Sequence, residues 1–274
     1  MPIALPGMLT PGGVLDRIVE AKAARLSDSI RRKPIELLLP RALAMPVSPP
    51  LRSFSSTLNR QDRVNVIAEI KQRSPSKGVI CQDFDPVRIA ESYASGGAAA
   101  LSVLCEEDFF GGSLADLEAI RGRVDLPLLR KDFIFDPYQL YESRAAGADA
   151  VLLIVAILGD ALLARLIGLA QELGIDPLVE VHTLDEMERA TRAGASIIGV
   201  NNRDLTTFDV QLDASIRLAP HASIGTILVS ESGINSGADI RRLRSAGFTA
   251  FLVGEHLVRA RNPGEALRSL IDET

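Results

Sequence analysis

The chain has 274 residues, of which 47% are hydrophobic, 24% charged and 4% aromatic, and its formal net charge is −5. This composition is typical of a folded globular protein and excludes extended disorder. Because basic residues are not in excess and aromatic side chains are scarce, a nucleic-acid-binding surface is excluded, and no nucleic-acid partner is expected.

Metal, disulfide and membrane sites are not expected either. Cys81 and Cys105 form no close pair, and the three scattered histidines complete no zinc pattern. The longest apolar run, Val151 to Leu158, is much shorter than the roughly 20 residues of a membrane span. The N-terminus contains prolines and lacks the basic region of a signal peptide. We therefore expect a cytoplasmic protein with no membrane partner.

Residues 1–60 are predicted to form an extension that packs on the following domain and is not an independent domain. One helix is expected in it, because five apolar residues share a face at helical spacing. These residues are Leu15, Ile18, Val19, Leu26 and Ile30. Pro34 should end this helix at the latest. An extended connector is predicted after it, marked by four further prolines. They are Pro40, Pro46, Pro49 and Pro50.

Residues 61–274 alternate between short apolar runs and amphipathic stretches of helix length. Strands that alternate with helices predict βαβ units in a parallel sheet, and nearly continuous Val/Ile/Leu runs indicate strands covered on both faces. The eight runs are 64–70, 98–104, 126–131, 148–155, 177–181, 196–201, 226–230 and 248–253.

A weak internal repeat indicates how the sheet closes. A helix that ends in small residues and glycine precedes a strand roughly every 50 residues, at Gly97, Gly147, Gly194 and Gly247. Glycine after a helix takes the left-handed conformation that turns the chain into the next strand. Each interval of roughly 50 residues holds two βα units, so four such pairs give eight units. Eight units predict an α/β fold of the (β/α)8 TIM-barrel type with an N-terminal helical extension. The alternative is a doubly wound open sheet, but its G-x-G-x-x-G loop is missing after the first strand.

Charged and amide side chains end several of the predicted strands. The carboxyl ends of barrel strands form the active face, and residues two apart in a strand share a side. We therefore expect five side chains to converge at one mouth: Glu69, Lys71, Lys131, Glu180 and Asn201. Carboxylates, lysines and an amide around one cavity are an acid–base constellation.

The last two predicted strands end in a second pattern, Ser232-Gly233 and Gly254-Glu255. Barrels often bind phosphate at the loops after strands seven and eight, where glycine lets backbone N–H groups approach the anion. The other interpretation is that both glycines serve turn geometry alone. His182, at the end of the fifth strand, is expected to be structural or to lie at the rim.

These strand ends resemble the motifs of the indole-3-glycerol phosphate synthase family. Glu69 to Gly78 matches its E-x-K-x-x-S-P-S-K-G signature. Five further segments are similar to later motifs of the family and follow the same order. They are 106–113, 129–134, 179–182, 199–205 and 230–234. The resemblance spans roughly residues 14 to 270 and implies decarboxylating ring closure of a phosphorylated anilino-sugar in tryptophan biosynthesis, with no cofactor.

The resemblance also implies roles for individual residues. Lys131 would be the general acid at the sugar carbonyl, and Lys71 would pair with the substrate carboxylate or share that role. Glu180 would serve the dehydration as acid or base. Glu69, Asn201 and Ser232 complete the implied catalytic set. Substrate and phosphate binding would fall to Ser74, Pro75, Phe133, Arg203, Gly233, Gly254 and Glu255.

Two alternatives stay open at this point. Another phosphosugar barrel, such as a phosphoribosylanthranilate isomerase, would use a cysteine and an aspartate, and Cys81 lies after the first predicted strand. A barrel that only binds phosphorylated ligands would show gaps in the acid–base set. The expected partner is a small phosphorylated substrate, and the expected oligomeric state is a monomer.

Overall fold

The computed structural model describes residues 7–44, 53–75, 77–204 and 209–274. Within these ranges, three helices precede the first strand: α1 (Gly13–Arg32), α2 (Ile35–Ala44) and α3 (Phe54–Leu58). Four of the five residues predicted to share the buried face of α1 are buried, but Ile30 is 38% exposed, so its inclusion was wrong. The buried face tapers off before the exposed basic end of the helix.

The prediction of an extended connector from Pro40 onward was also wrong at its beginning. Pro40 lies inside α2, a helix whose Leu38 and Ala42 side chains are buried. Proline in a helix interior removes one hydrogen bond and is unfavourable, but packing of an apolar face outweighs this local preference. The other three prolines of the predicted connector lie outside the described residues.

Eight parallel strands close into a barrel, as predicted. They are β1 (Asn65–Ile70), β2 (Ala100–Leu104), β3 (Leu128–Lys131), β4 (Ala150–Ile154), β5 (Asp176–Val181), β6 (Ile197–Asn201), β7 (Ile227–Glu231) and β8 (Ala250–Val253). Each strand pairs with its neighbours in the chain, and β8 pairs with β1 through the register Asn65 to Ala250. The strands are almost entirely buried, which explains their continuous apolar sequences.

Helices alternate with the strands and cover the outside of the barrel. They are α4 (Pro86–Ser95), α5 (Leu114–Arg121), α6 (Pro137–Ala146), α7 (Asp160–Glu172), α8 (Leu184–Arg192), α9 (Asp213–Leu218), α10 (Gly237–Ser245), α11 (Glu255–Val258) and α12 (Pro263–Asp272). Most begin after a side chain that accepts a hydrogen bond from the first turn, such as Asp85, Ser113 and Thr183.

The glycines of the internal repeat have the predicted backbone conformation. Their φ angles are 97°, 91°, 85° and 100° at Gly97, Gly147, Gly194 and Gly247. Each glycine therefore reverses the chain between a helix and the next strand, where a side chain would be strained. None of the helices in the described ranges is long and apolar enough to span a membrane.

Candidate active site

A cavity of about 790 Å³ opens at the carboxyl ends of the strands. All thirteen residues that the sequence singled out line it. They are Glu69, Lys71, Ser74, Pro75, Lys131, Phe133, Glu180, Asn201, Arg203, Ser232, Gly233, Gly254 and Glu255. The structure thus brings together side chains from six strands and the loops that follow them.

The centre of the cavity is a cluster of ion pairs. Lys131, the last residue of β3, has its Nζ 3.2 Å from Oε2 of Glu180 on β5 and 3.5 Å from Oε2 of Glu231 on β7. Directly after β1, the Lys71 ammonium donates a hydrogen bond to the Glu69 carboxylate. Each of these groups is one of the last two residues of its strand or, for Lys71, the residue after it, so the parallel sheet directs them all toward one mouth.

The charges of this cluster hold one another ionised. Burial alone would lower the pKa of Lys131, but the carboxylates of Glu180, Glu231 and Glu69 raise it above its ordinary value. Burial likewise opposes ionisation of Glu69, yet Lys71 and Lys131 bring its pKa below the ordinary carboxyl value. A permanent ammonium ion is therefore fixed at the centre of the site.

Glu180 and Glu231 differ in ionisation although both contact Lys131. The pKa of Glu231 is raised to about 8. Burial and the negative charges of Glu180 and Glu69 raise it, and together they outweigh the positive charges of Lys131 and His182, which lower it. Burial would also raise the pKa of Glu180, but Lys131, His182 and Asn201 bring it below its ordinary value. The surroundings therefore favour the carboxylate form of Glu180 and the protonated form of Glu231.

Sequence reasoning missed Glu231 as a site residue. It ended the seventh strand at Ser230 and did not include Glu231 among the converging side chains. In the structure Glu231 is the last residue of β7, in register with Asn201 of β6. Neither Glu231 oxygen has a hydrogen-bond partner within the described residues. The alignment of Glu231 with Asn201 on neighbouring strands is the feature that could have identified Glu231 as a site residue.

Asn201 and Arg203 connect the charged centre to the rim. The Asn201 side chain forms a hydrogen bond with Glu180, and its Oδ1 accepts one from the Arg203 backbone N–H at 3.0 Å. The amide therefore fixes both the carboxylate and the first turn after β6. The Arg203 side chain lines the cavity and lies 3.7 Å from Glu255.

The side of the cavity after β7 and β8 is built from close backbone approaches. Ser232 and Gly233 both have positive φ, at 67° and 80°. At Gly254 a Cβ atom would collide with the carboxylate of Glu69. Glycine at this position therefore lets the end of β8 lie directly against the charged centre.

Glu255 was expected to bind phosphate, but its side chain is an anion that contacts three cationic side chains. Its carboxylate pairs with Lys77, with Arg203 at 3.7 Å and with Arg259 at 3.1 Å. An anionic side chain cannot itself bind phosphate, so its contribution to an anion site is restricted to the backbone and to the cations that it gathers. The pKa of Glu255 is lowered because Lys77, Arg259 and Arg203 outweigh the effect of burial.

The opposite side of the cavity is apolar. Phe133 follows β3, which lies across the barrel from β7, and its ring centroid is 6.2 Å from that of Phe110. Helix α1 adds Val14, Leu15 and Ile18 to the lining. Sequence reasoning did not place Phe110 or α1 in the site, because helical periodicity shows which face is buried but not what covers it.

A buried ion network attaches α1 to this side of the site. Lys22 Nζ lies 2.8 Å from Oδ2 of Asp132, the residue after Lys131, and 3.1 Å from Oε2 of Glu107. Arg130 pairs with the same Asp132 oxygen at 2.7 Å. Burial would raise the pKa of Asp132, but the Lys22 and Arg130 charges lower it below its ordinary value.

The described residues contain no group of three or more His, Cys, Asp or Glu side chains arranged to hold a metal ion. Cys81 and Cys105 are both free, and neither is among the residues that line the cavity. The isomerase alternative requires a cysteine in the cavity, and neither cysteine lines it.

Comparison with known proteins gives a consistent result. A family model described as indole-3-glycerol phosphate synthase matches residues 15–270. The indole-3-glycerol phosphate synthase of Carboxydothermus hydrogenoformans is 53% identical over 214 residues, which cover 78% of this chain and 81% of that protein. The one from Polaromonas naphthalenivorans is 46% identical over 263 residues, which cover 95% of this chain and 99% of that protein.

Similarity to solved structures is more distant. The 3-hexulose-6-phosphate synthase from Salmonella typhimurium has a TM-score of 0.61 and 16% sequence identity, and the match covers 76% of this chain and 97% of that one. At this level of identity the likeness shows a shared barrel fold alone.

Proposed function

The chain belongs to the indole-3-glycerol phosphate synthase family, and we propose that Lys131, Glu180 and Glu231 carry out the chemistry of that family in its barrel cavity. The enzyme is a carboxy-lyase of tryptophan biosynthesis. It converts 1-(2-carboxyphenylamino)-1-deoxyribulose 5-phosphate into indole-3-glycerol phosphate, carbon dioxide and water. The observation that carries the assignment of roles is the Lys131 ammonium fixed between two buried carboxyl groups.

Ring closure needs a cation at the sugar carbonyl. The ring carbon that bears the carboxylate attacks this carbonyl, and negative charge develops on its oxygen. Lys131 supplies a hydrogen-bond donor and a positive charge for that oxygen, since its raised pKa keeps it protonated. Loss of carbon dioxide then restores the aromatic ring. Lys71, which directly follows β1, is suited to pair with the substrate carboxylate before it leaves.

The dehydration step needs an acid and a base. A hydroxyl group leaves with a proton, and a second proton is removed from carbon to form the indole double bond. Glu180 is suited to be the base because its lowered pKa favours the carboxylate, whereas Glu231 is suited to be the acid because its raised pKa favours the protonated form. Glu69 is placed to orient both lysines, and Asn201 to hold Glu180 and a substrate hydroxyl.

The two ends of the substrate fit the two sides of the cavity. The phosphate would lie against Ser232, Gly233 and Gly254, with Arg203 and Ser74 as further donors. The anthranilate ring would lie against Phe133, Pro75 and Phe110. This orientation puts the sugar carbonyl over the charged centre, between a polar and an apolar wall.

The test is turnover of the purified protein, followed by the fluorescence of its indole product. Lys131→Ala and Glu180→Gln are each expected to lower kcat by roughly 10²-fold or more, as loss of an acid–base group does, without a change in circular dichroism. Glu188→Gln is the matched control, because Glu188 is exposed on α8, outside the cavity. If both cavity variants keep kcat within tenfold of wild type, the proposed roles are wrong.

We also propose that residues 1–60 are an extension of the barrel formed by residues 61–274. Phe54 and Leu58 support this, because they are fully buried in the same hydrophobic core as the strands. We further propose a cytoplasmic monomer, since every residue of the proposed site comes from one chain. Light scattering at micromolar concentration tests the oligomeric state, and a dimer mass would contradict it.

A further inference from the structure

His182 lies directly behind Glu180, on the side away from the substrate cavity. Its Nε2 is 3.6 Å from Oε1 of Glu180, and its Nδ1 is 3.5 Å from Oε2 of Glu186 at the beginning of α8. The same Glu186 oxygen accepts a hydrogen bond from the His182 backbone N–H at 2.6 Å. The imidazole thus lies between an inner and an outer carboxylate at ion-pair distances. Within the described part of the chain, neither ring nitrogen has a hydrogen-bond partner.

His182 is also one of the residues that line a second cavity. This cavity has a volume of about 340 Å³ and is lined by His182 together with Thr183, Arg217 and His221, among others. Glu180 lines the first cavity and not the second, and His182 lines the second and not the first. His182 is therefore the residue that links the buried carboxylate to a separate opening in the protein.

The reaction needs a proton from outside. The substrate carboxylate leaves as neutral carbon dioxide, so charge balance requires uptake of one proton in each turnover. Substrate fills the mouth of the first cavity while this happens, and only 2% of the Glu180 side chain is exposed. A route that does not pass through the substrate cavity would supply the proton while the substrate is bound.

We propose that His182 is a proton-relay residue that connects Glu180 to solvent through the second cavity. After dehydration Glu180 holds the proton that it took from carbon, and it passes this proton to Lys131, which had given one to the sugar oxygen. The imidazolium Nε2–H proton then passes to Oε1 of Glu180, which leaves a neutral imidazole. Glu180 returns to the carboxylate form when this proton moves on, through Lys131, which contacts both carboxyl groups, to Glu231, which had lost its own proton to the leaving hydroxyl group. A proton taken up from solvent through the second cavity then returns the ring to the imidazolium form. Because His182 acts through Glu180, the inference rests on the acid–base role proposed for Glu180.

The charges around His182 favour this cycle. Glu180 faces the ring from β5, Glu186 from α8 and Glu231, more distantly, from β7, while Arg217 and His221 face it across the second cavity. Burial would lower the pKa of His182, but Glu186 and Glu180 raise it above its ordinary value. The ring is therefore charged in a larger fraction of molecules at neutral pH than a free histidine.

The test is steady-state kinetics of His182→Gln at several pH values and buffer concentrations. We expect kcat to fall about tenfold, less than the roughly 10²-fold loss typical of the acid–base group itself, while KM stays within twofold. Added imidazole at tens of millimolar should restore kcat in a saturable way, because a small base can enter the second cavity. Glu188→Gln is the matched control, because Glu188 is exposed on α8 and lines neither cavity, and its kcat should match wild type.

Two results would overturn the relay. One is a His182→Gln enzyme with wild-type kcat and the wild-type pH profile at low buffer concentration. The other is a lowered kcat that imidazole does not restore, accompanied by a lower melting temperature, which would identify a structural role. Failure of the underlying acid–base assignment is separate, since it would appear as wild-type activity of Glu180→Gln.

Discussion

Replacing Lys22 with methionine tests how the first helix is held over the cavity. Methionine keeps the apolar stem of a side chain that is only 6% exposed, and it removes the ammonium group that pairs with Asp132. Breaking a buried ion pair costs about 3–5 kcal/mol when the partner is left uncompensated. Here Arg130 still pairs with Asp132 at 2.7 Å, so we expect a smaller loss of about 2–3 kcal/mol.

This loss should be visible in thermal unfolding followed by circular dichroism. For a chain of this size about 1 kcal/mol corresponds to roughly 2 °C, so the melting temperature of Lys22→Met should fall by about 4–6 °C. Activity should respond mainly through KM, because Val14, Leu15 and Ile18 of the same helix line the cavity. The indole fluorescence assay gives both kinetic constants.

Arg25→Met is the matched control on the same helix. Arg25 pairs with Asp108 at 2.6 Å, but its side chain is 48% exposed, and exposed pairs contribute less than about 1 kcal/mol. The two variants thus remove pairs of similar length that differ in burial. Equal melting temperatures for both variants, or an unchanged KM in Lys22→Met, would refute the reasoning that burial makes the Lys22 pair hold the helix over the site.

Three further predictions concern the phosphate side and the buried network. Arg203→Ala should raise KM roughly tenfold to a hundredfold in the fluorescence assay, because a charged hydrogen bond contributes about 1.5–3 kcal/mol; an unchanged KM would place the phosphate elsewhere. Ser232→Gly should be about 1 kcal/mol more stable than Ser232→Ala in urea unfolding, because residue 232 has a φ of 67°, which glycine adopts without strain. Equal urea midpoints for the two variants would contradict this. Asp132 has a pKa below its ordinary 3.8, so its stabilisation is complete above that value and is lost as the pH falls below it. Asp132→Asn should therefore show a weaker acid dependence of its melting temperature than wild type.

Most of the barrel could be predicted from the sequence. Parallel strands buried on both faces need unbroken apolar runs, and such runs stand out between helices of mixed character. The same logic predicted a common cavity for Glu69, Lys131 and Glu180, because the carboxyl ends of parallel strands meet at one edge. The roles of these side chains stay predictions, since position alone does not determine which group transfers a proton.

Other features depend on contacts that periodicity does not encode. Proline is normally unfavourable in a helix interior, yet Pro40 lies inside α2. The burial of Leu38 and Ala42 outweighs this local preference. His182 was expected to be structural or at the rim, and the residue pattern alone does not show that its ring contacts Glu180. The pairing of Lys22 with Asp132 joins residues far apart in the chain. No local signal in the sequence identifies such partners.

Closure of the barrel has a consequence for synthesis of the protein. Strand β1 pairs with β2 on one side and with β8 on the other, and β8 ends at Val253. On the ribosome, β1 therefore keeps one unpaired edge until residues 250–253 have emerged. An open edge of a buried strand is a template for pairing with other chains. Nascent molecules of this enzyme thus present such an edge until strand β8 arrives.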